Sequence, residues 1–428
     1  MNIFVRTRLF AFDFLTRVGQ ATSKSGGGIR GARKMTKALI LVGGFGTRLR
    51  PLTLSKPKPL VEFCNKAQLL HQLEALAAAG VREVILAISY SPAVMEEFLL
   101  KAQHDLGIKV VCSHEQEPLG TAGPIAYARD FLNTKEDFFV VNSDITCAFP
   151  FAELLAFHKA HGREGTVLVT KVEEPSRYGV VQHDASGKVL RFVNKPKQFS
   201  GNLVNAGVAA FSPSVLARLQ PKPASMEKEI LPVMAQEEQL YCMPLRGYWL
   251  DIGSPKHHLL GAQLRLAHHR ATEPAILSVH PAVVGDVLIS PSATIGKGCL
   301  IGPAVVIGPN VVVHDGERAR TLQDAPAPAP APRRVAPTAC HPPRARAAGA
   351  GVHIERSTLL EGCVVGKHSY IVDSIIGWKS VIGQWVRVEG NTVLGESVTL
   401  SDEIYLNGGL VLPHKNVKES IAEPKIIM

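Results

Sequence analysis

Hydrophobic and polar positions follow two different periods along this chain of 428 residues. From Lys37 to about Gln220, short apolar runs alternate with amphipathic stretches of helical period. The apolar runs predict strands at 37–42, 82–89, 109–113 and 138–141, and the amphipathic stretches predict helices at 66–79, 92–104 and 151–161. Strands that alternate with helices form a mostly parallel sheet with helices on both faces. We therefore predict a Rossmann-like α/β domain over residues 35–258.

A second period begins near Val283, where aliphatic residues recur at every sixth position. The recurring residues are Ile289, Ile295, Ile301, Ile307 and Val313, and later Ile376, Ile382, Val388, Leu394 and Leu400. A hexapeptide period with inward-pointing aliphatic side chains predicts a parallel β-helix, and similar hexapeptides form left-handed ones in many transferases. We place this domain at 281–428, after a linker at 259–280. Since a repeat fold specifies no chemistry, we interpret the domain as architectural.

The segment 317–351 interrupts the hexapeptide period. It contains four consecutive Ala-Pro pairs and then Arg- and Ala-rich sequence without an apolar period, a composition that predicts disorder. Removing these 35 residues would place Ile354 six positions after Val313, and the period would then continue through Leu360. We therefore predict an insertion into an otherwise continuous coil.

The basic charge of the chain is concentrated in two segments. The formal net charge is +10, but residues 1–34 hold seven basic and one acidic residue, and residues 317–351 hold six and two. The remaining residues hold 34 of each, so the folded body is neutral. A neutral body argues against a nucleic-acid-binding surface.

The amino-terminal segment 1–34 looks appended to the folded body, and we predict that this basic extension is disordered. Its Arg-rich, acid-poor composition fits a mitochondrial transit peptide, but Met35 stands just before the first strand, and we favour an alternative upstream start. Seven scattered cysteines without a Cys-x-x-Cys pair indicate a reducing compartment, which we take to be the cytoplasm. No apolar run reaches membrane-spanning length, so we expect no membrane association.

Glycines and cations follow the first strand. Gly43, Gly44 and Gly46 come directly after 37–42, and Arg48 and Lys58 follow in a segment without acidic residues. A strand, a glycine turn and several cations are typical of a polyphosphate-binding loop. The segment has neither the third glycine of a dinucleotide fingerprint nor the Gly-Lys-Ser/Thr of a P-loop. The glycines alone would also fit an ordinary turn.

The whole segment from Gly43 to Pro59 resembles the signature of the sugar-1-phosphate nucleotidyltransferases, Gly-Gly-x-Gly-Thr-Arg-Leu-x-Pro-Leu-Thr followed by Pro-Lys-Pro. Five more segments are similar to motifs of that family: Glu117–Ala122, Asn142–Asp144, Phe192–Pro196, Asn205–Gly207 and Trp249–Gly253. The carboxyl-terminal segments 412–415 and 423–428 are similar to its guanylyltransferase branch, whose members act on mannose 1-phosphate. The resemblance covers residues 35–316 and 352–428.

The resemblance implies a reaction and a set of site residues. The reaction is transfer of GMP from GTP to mannose 1-phosphate with Mg²⁺ as cofactor, giving GDP-mannose and pyrophosphate. Arg48 and Lys58 would neutralise the phosphates that leave, Lys195 would bind the sugar phosphate, and Asp144 and Asp251 would hold the metal ion. The substrate-binding residues implied are Leu41, Gly43, Gly44, Gly46, Thr47, Gly120, Thr121, Ala122, Asn142, Asp144, Gly179, Asn194, Asn205 and Asp251.

One site residue departs from the family pattern, and several alternatives stay open. The family has Glu where this chain has Asn194, which puts sugar affinity in doubt. The alternatives are transfer from UTP or ATP to glucose 1-phosphate, and a non-catalytic regulatory subunit. Acyl transfer on the β-helix would need a catalytic His, for which His353 and His368 are candidates. The resemblance also implies a homo-oligomer or a complex with an alpha-type regulatory subunit.

Overall fold

The computed structural model describes residues 37–44, 46–88, 93–115, 117–132, 135–315 and 351–428. The segment 1–34 and all but Gly351 of the predicted insertion lie outside these residues, so their disorder stays a prediction. Residues Met35–Met428 belong to one compact unit. Within its described part, no helix is both long and apolar enough to cross a membrane.

The amino-terminal part of this unit is an α/β domain. Its elements are β1 (Lys37–Val42), β2 (Glu62–Phe63), β3 (Lys66–Ala67), α1 (Gln68–Ala78), β4 (Glu83–Ile88), α2 (Ala93–Leu106), β5 (Lys109–His114), α3 (Gly123–Tyr127), α4 (Arg129–Leu132), β6 (Phe138–Asn142), β7 (Ile145–Cys147), α5 (Phe151–His161), β8 (Gly165–Lys171), β9 (Gly179–His183), β10 (Val189–Asn194), β11 (Leu203–Phe211), α6 (Leu231–Gln236), β12 (Leu240–Pro244), β13 (Trp249–Asp251) and α7 (Pro255–Thr272).

The main sheet has the strand order β10-β9-β11-β6-β1-β4-β5, and β8 pairs with β11 and β12. Strands β6, β1, β4 and β5 are parallel, so their carboxyl ends meet at one edge, where ligands bind in such sheets. Strand β11 runs antiparallel to β6, β8 and β9, which makes the sheet mixed. The sequence pattern predicted the parallel strands and did not predict this antiparallel part.

Helices cover both faces of the sheet, as predicted. On one face, α1, α2 and α5 pack through residues such as Leu73, Leu99 and Leu154. On the other face, α3, α4 and α6 pack through residues such as Ile125 and Met234. Because strands between two helical layers are apolar on both faces, their sequences read as continuous apolar runs rather than alternating ones. The predicted Rossmann-like class is confirmed.

Several predicted boundaries differ from the structure, and two of these differences have a structural cause. The helix predicted to begin at Lys66 begins at Gln68, because Lys66 and Ala67 pair with β2 instead. The segment predicted as the linker 259–280 lies mostly in α7, which spans Pro255–Thr272. Leu259 and Leu266 of α7 are buried and touch both domains. The part of the predicted linker that lies in α7 is therefore packed against both domains, whereas residues 273–280 are mostly exposed.

The carboxyl-terminal part is a parallel β-helix, as predicted. Its strands are β14 (Val287–Ile289), β15 (Thr294–Ile295), β16 (Leu300–Ile301), β17 (Val305–Ile307), β18 (Val312–Val313), β19 (His353–Glu355), β20 (Thr358–Leu359), β21 (Val364–Val365), β22 (Tyr370–Val372), β23 (Ile375–Ile376), β24 (Val381–Ile382), β25 (Arg387–Glu389), β26 (Val393–Leu394), β27 (Thr399–Leu400), β28 (Tyr405–Asn407), β29 (Leu410–Val411), β30 (Asn416–Val417) and β31 (Ile426–Ile427). They form three parallel sheets around one apolar core. Its left-handed sense stays a prediction.

The strand register supports the predicted insertion. Val287 pairs with Val305, 18 residues later, which is one full coil. Leu300 pairs with His353, which is also 18 residues later once the 35 residues of the segment 317–351 are left out. The hexapeptide period predicted that Leu360 is the next residue after Ile354 to point into the core. The structure has Leu359 there instead, because the distance along the chain between these two inward residues shortens from six to five. The coil on either side of the segment is continuous.

Deleting residues 317–351 is expected to leave the melting temperature unchanged or slightly higher. Gly316 would then precede Val352 in place of Gly351, whose Cβ position lies against the backbone of Gly298, so a glycine stays at that close approach. Loop-closure entropy grows slowly, by about 0.6 kcal/mol for each doubling of length, which limits any gain. Thermal melts with light scattering measure both stability and association. A melting temperature several degrees lower after deletion would mean that the segment is packed into the coil.

Candidate active site

The loop after β1 presents its backbone to open space. Cβ atoms added at Gly43 and Gly44 would find no atom within 4 Å. Gly46 has a φ of 62°, and a Cβ there would lie 2.9 Å from Thr53 Cγ2 and 3.0 Å from Lys58 Cβ. Glycine at 46 therefore lets the loop fold back tightly on itself. This fold brings the start and the end of the loop together.

The loop places a buried lysine beside an aspartate. The side chain of Lys58 is only 10% exposed, and its Nζ lies 2.8 Å from Asp144 Oδ2. Asp144 follows β6, the strand next to β1, and its neighbour Ser143 donates its backbone N–H to Leu41 O at 3.1 Å. The parallel strands thus bring together two charged groups that are 86 residues apart.

A second aspartate joins the pair through a short antiparallel ladder. Strand β13 pairs with β7, and this register places Asp251 opposite Ile145, directly after Asp144. The guanidinium of Arg48 lies between the two carboxylates, 3.9 Å from Asp144 Oδ2 and 4.0 Å from Asp251 Oδ2. The structure therefore brings together Arg48, Lys58, Asp144 and Asp251, which the sequence could group only by resemblance.

Two buried glutamines, which sequence reasoning missed, bind the backbone of the segment that carries Asp144. Gln68 Nε2 donates to Ser143 O at 2.6 Å, and Gln72 Nε2 donates to Asn142 O at 2.9 Å. Both side chains lie on the buried face of α1. An amide pair spaced i, i+4 on an otherwise apolar helix face was a signal for them, since buried amides must find hydrogen-bond partners.

A tyrosine that sequence reasoning also missed lies near the carboxylates. The ring of Tyr178 packs edge-on against Trp249, with ring centroids 5.4 Å apart. Burial, followed by the negative charges of Asp251 and Asp144, raises the pKa of Tyr178. Its hydroxyl therefore stays protonated at neutral pH and can act as a hydrogen-bond donor.

A cavity of about 590 Å³ opens at the carboxyl edge of the sheet. Its walls include the exposed backbone at Gly43 and Gly44 and the carboxylate of Asp144. Other lining residues are Leu41, Ala87, Glu115, Glu117, Pro118, Leu119, Gly120, Thr121, Pro124, Asn142 and Ser143. Thr47 is exposed in the short 3₁₀ helix that also carries Arg48. This volume is within the range of small-ligand sites.

The loop that resembles the base-binding motif has most of its backbone donors occupied. The N–H groups of Thr121 and Ala122 donate to Ala224 O at 3.1 and 3.0 Å. The hydroxyl of Thr121 donates to Glu227 Oε2 at 2.7 Å. Ala122 is buried in the core and does not line the cavity, whereas Gly120 and Thr121 do. Five of the six residues of the motif, 117–121, therefore line the cavity.

The sugar-side residues lie apart from the carboxylates. Asn194 and Lys195 line a separate depression of about 740 Å³, and Lys195 forms no ion pair with any described carboxylate. Gly179 pairs with Asn194, and a Cβ there would lie 2.6 Å from the ring of Phe192, so packing alone requires glycine. Asn205 accepts a hydrogen bond from the N–H of Gly207 at 3.1 Å. The structure leaves these residues beside the main cavity rather than inside it.

The carboxylate pair fits a hard divalent cation. Asp144 and Asp251 supply two oxygen donors beside the cavity, and no described group of three or more His, Cys, Asp or Glu residues is arranged to hold a metal ion alone. Mg²⁺ is commonly held by one or two carboxylates together with substrate phosphates rather than by an all-protein set of ligands. These two aspartates match that pattern.

Substituting Gly253→Ala is expected to impair the site without unfolding the protein. A Cβ at 253 would lie 2.9 Å from Arg48 Nη2 and 2.9 Å from Asp251 Oδ1, so both groups must shift. A displacement of about 1 Å in a reacting site can lower the rate about 10²-fold. Turnover and a thermal melt measure the two effects separately. Gly409→Ala is the control, since its nearest contact would be 3.9 Å, and equal turnover in both variants would contradict the geometry.

Comparison with known proteins gives one consistent result. The model of the nucleotidyl transferase family matches residues 37–267, and that of the GMPPB C-terminal domain matches residues 344–427. A mannose-1-phosphate guanylyltransferase catalytic subunit beta from Dictyostelium discoideum is 53% identical over 92% of this chain and 100% of its own length. Its counterpart from Danio rerio is 52% identical over the same shares. A probable mannose-1-phosphate guanylyltransferase 1 from Oryza sativa subsp. japonica is 51% identical over 92% of this chain and its whole length.

Proposed function

The chain belongs to the mannose-1-phosphate guanylyltransferases within the nucleotidyl transferase family, and from this we propose that it joins GTP and mannose 1-phosphate into GDP-mannose and pyrophosphate. One geometric observation supports this reaction independently of the family. Two cations, Arg48 and Lys58, meet two carboxylates, Asp144 and Asp251, and Asp144 lines the same cavity as the backbone of Gly43 and Gly44. This set of groups suits phosphate chemistry, in which charge neutralisation is the main task.

The reaction needs no general base. The phosphate of mannose 1-phosphate has a second pKa of about 6, so it is largely a dianion near neutral pH and is already a nucleophile. One of its oxygens attacks the α-phosphorus of GTP, and the bond from that phosphorus to the β-phosphate bridging oxygen breaks. Pyrophosphate leaves with the electron pair of that bond. The protein must therefore position the reactants in line and neutralise charge.

Arg48 and Lys58 neutralise the negative charge of the pyrophosphate that leaves. Arg48 and Lys58 lie at the two ends of one folded loop, so they can contact the same phosphate chain from two sides. The open backbone at Gly43 and Gly44 offers N–H donors to the same chain. Lys195 binds the phosphate of the sugar, and Asn194 and Asn205 contact its hydroxyl groups.

Nucleotidyl transferases generally use a divalent metal ion, and we propose Mg²⁺ here. Asp144 and Asp251 would hold it, and when bound it supplies positive charge at the reacting phosphates. Lys58 Nζ already neutralises Asp144 from the loop side. In this way Lys58 orients Asp144 as well as contacting the nucleotide.

Pyrophosphate release by the purified protein tests the proposal. GTP with mannose 1-phosphate and Mg²⁺ is expected to give rapid release, and UTP, ATP or glucose 1-phosphate much slower release. Faster release from UTP or ATP with glucose 1-phosphate would establish the other nucleotidyl transferase specificity. GDP-mannose binding without any release would establish a non-catalytic regulatory role, which the intact cation and carboxylate set argues against.

We further propose that the protein acts in the cytoplasm and assembles with itself or with an alpha-type subunit. Its relatives from Dictyostelium discoideum and Danio rerio are named catalytic beta subunits, which supports a partner of another type. Size measurement by light scattering, alone and after mixing with a candidate partner, tests the assembly.

The substitution Asn194→Glu is expected to lower the KM for mannose 1-phosphate and leave the KM for GTP unchanged. Asn194 is half-buried at the end of β10, and a carboxylate there can accept hydrogen bonds from sugar hydroxyls. A hydrogen bond to a charged group is worth about 1.5–3 kcal/mol, which is an upper limit at a wet site. Steady-state kinetics for both substrates give the answer. Gln182→Glu on the neighbouring strand β9 adds the same charge as a control. A higher KM for mannose 1-phosphate would show that asparagine suits the sugar site of this protein better than glutamate does.

A further inference from the structure

The back of the phosphate-binding loop rests on the β-helix. Between Arg48 and Lys58, the loop turns Leu49 and Leu52 away from the cavity, and both side chains are fully buried. They form one apolar cluster with residues of the β-helix, namely Leu360, Ile375, Trp378 and Val393, together with Val61 and Leu259 of the α/β domain. Leu49, the residue directly after Arg48, therefore packs against the other domain.

A polar contact anchors the same loop at its far end. Trp378 is 2% exposed, and its Nε1–H donates to Glu62 Oε2 at 2.8 Å across the domain boundary. The other oxygen of Glu62 accepts from Lys56 Nζ at 2.5 Å. Lys56 Nζ also lies 4.7 Å from the centroid of the Trp378 ring, which completes a three-residue contact. Lys56 is two residues before Lys58, so this contact holds the chain directly beside a catalytic cation.

The backbone of Glu62 is held as well as its carboxylate. His258 of α7 lies 3.0 Å from the backbone carbonyl of Glu62. Burial lowers the pKa of His258 to about 4, so the ring is neutral and donates through Nε2–H. With its backbone held by α7 and its side chain by Trp378, Glu62 cannot move without disturbing the loop. The contact thus joins α7, the β-helix and the loop through a part-buried ion pair and two further hydrogen bonds.

We propose that Trp378 of the β-helix is a positioning residue for nucleotide binding, acting through Glu62 and Lys56 on the loop that carries Arg48 and Lys58. The β-helix would then have a part in the reaction and would not be purely architectural. Trp378 does not touch the cavity, so its effect must pass through the loop. Because the loop holds the phosphates of GTP, the KM for GTP is the quantity that responds. This inference rests on the proposed function.

The substitution Trp378→Phe tests the proposal, with Trp385→Phe as the matched control. Phenylalanine keeps an aromatic ring in the cluster and removes the N–H that binds Glu62. Trp385 lies in the same domain but is 60% exposed and stacks only on His368 among the described rings, 4.1 Å between centroids. Trp378→Phe is expected to raise the KM for GTP about tenfold, since a hydrogen bond to a charged group is lost. The KM for mannose 1-phosphate and the values for Trp385→Phe should stay at the parental level.

Hydrogen exchange of the loop gives a readout that does not depend on turnover. Amides of residues 46–62 are expected to exchange faster in Trp378→Phe and at the parental rate in Trp385→Phe. If the parental protein has no guanylyl transfer activity, the proposed function fails, and the exchange comparison still decides whether Trp378 holds the loop. Parental exchange together with a parental KM for GTP in Trp378→Phe would overturn the inference.

The substitution Glu62→Gln covers the case in which Trp378→Phe does not fold. Glutamine keeps the shape of Glu62 and an oxygen for the Trp378 N–H, but it removes the charge that binds Lys56. A raised KM for GTP and faster loop exchange are expected in this variant as well. Unchanged values in a folded Glu62→Gln protein would show that the contact only joins the domains.

Discussion

The variants Asp144→Asn and Asp251→Asn are each expected to lower kcat by about 10²–10³-fold while leaving the fold intact. The two carboxylates lie on either side of the Arg48 guanidinium and are the only pair of acids that the structure places there among its described residues. Asparagine preserves the shape of each side chain and removes the charge with which it would bind a metal ion. The negative charge on the reacting phosphates is the main barrier to the reaction. Losing one charged group that helps to neutralise it is therefore expected to affect the rate more than the binding of GTP.

Turnover as a function of Mg²⁺ concentration separates the possible causes. If the aspartates hold the metal ion, both variants need more Mg²⁺ than the parental protein and stay slower at saturation. Asp373→Asn is a matched control, because Asp373 is also ion-paired, to Arg356 at 2.7 Å on the β-helix. Its φ of 48° suits asparagine, so this variant should fold and turn over normally. Near-parental kcat in both site variants would mean that the metal assignment is wrong.

The sequence predicted the elements that depend on local periodicity. The strands before the site and the helix Phe151–His161 follow from apolar runs and amphipathic spacing, and α5 has those same bounds. The β-helix followed from the hexapeptide period, although the inward position moved from Leu360 to Leu359. A coil can shorten by one residue at a corner without changing which residues are apolar, so periodicity alone could not locate that step.

Contacts between distant segments were beyond the reach of the sequence pattern. The antiparallel strand β11 and the pairing of β13 with β7 depend on tertiary register, and the second of these brings Asp251 to Asp144. The interface between the domains was missed for a related reason. Ile375 and Val393 looked like ordinary coil residues, but they point outward and bury the loop residues Leu49 and Leu52. An aliphatic residue on the outer face of a coil has the same sequence signature as one on the inner face.

The variant Lys58→Met is expected to lower kcat/KM for GTP by about 10²–10³-fold. Lys58 is buried beside Gly46 and Thr53, and methionine fills a similar volume without the charge, so packing should be retained. The loss has two parts. If Lys58 contacts the leaving phosphates, they lose a cation, and Asp144 loses its ion-pair partner at 2.8 Å.

Product inhibition shows whether Lys58 contacts the leaving group. If it does, pyrophosphate inhibits Lys58→Met much more weakly than the parental protein, whereas inhibition by GDP-mannose changes little, because that product lacks the two phosphates that leave. Lys66→Met is the control, since Lys66 also pairs with an acid, Glu74 at 2.8 Å, but lies on β3 outside the cavity. Weaker inhibition by both products to the same degree would instead mean that Lys58 acts only by orienting Asp144. Parental inhibition by pyrophosphate with a lowered kcat would place Lys58 at the α-phosphate.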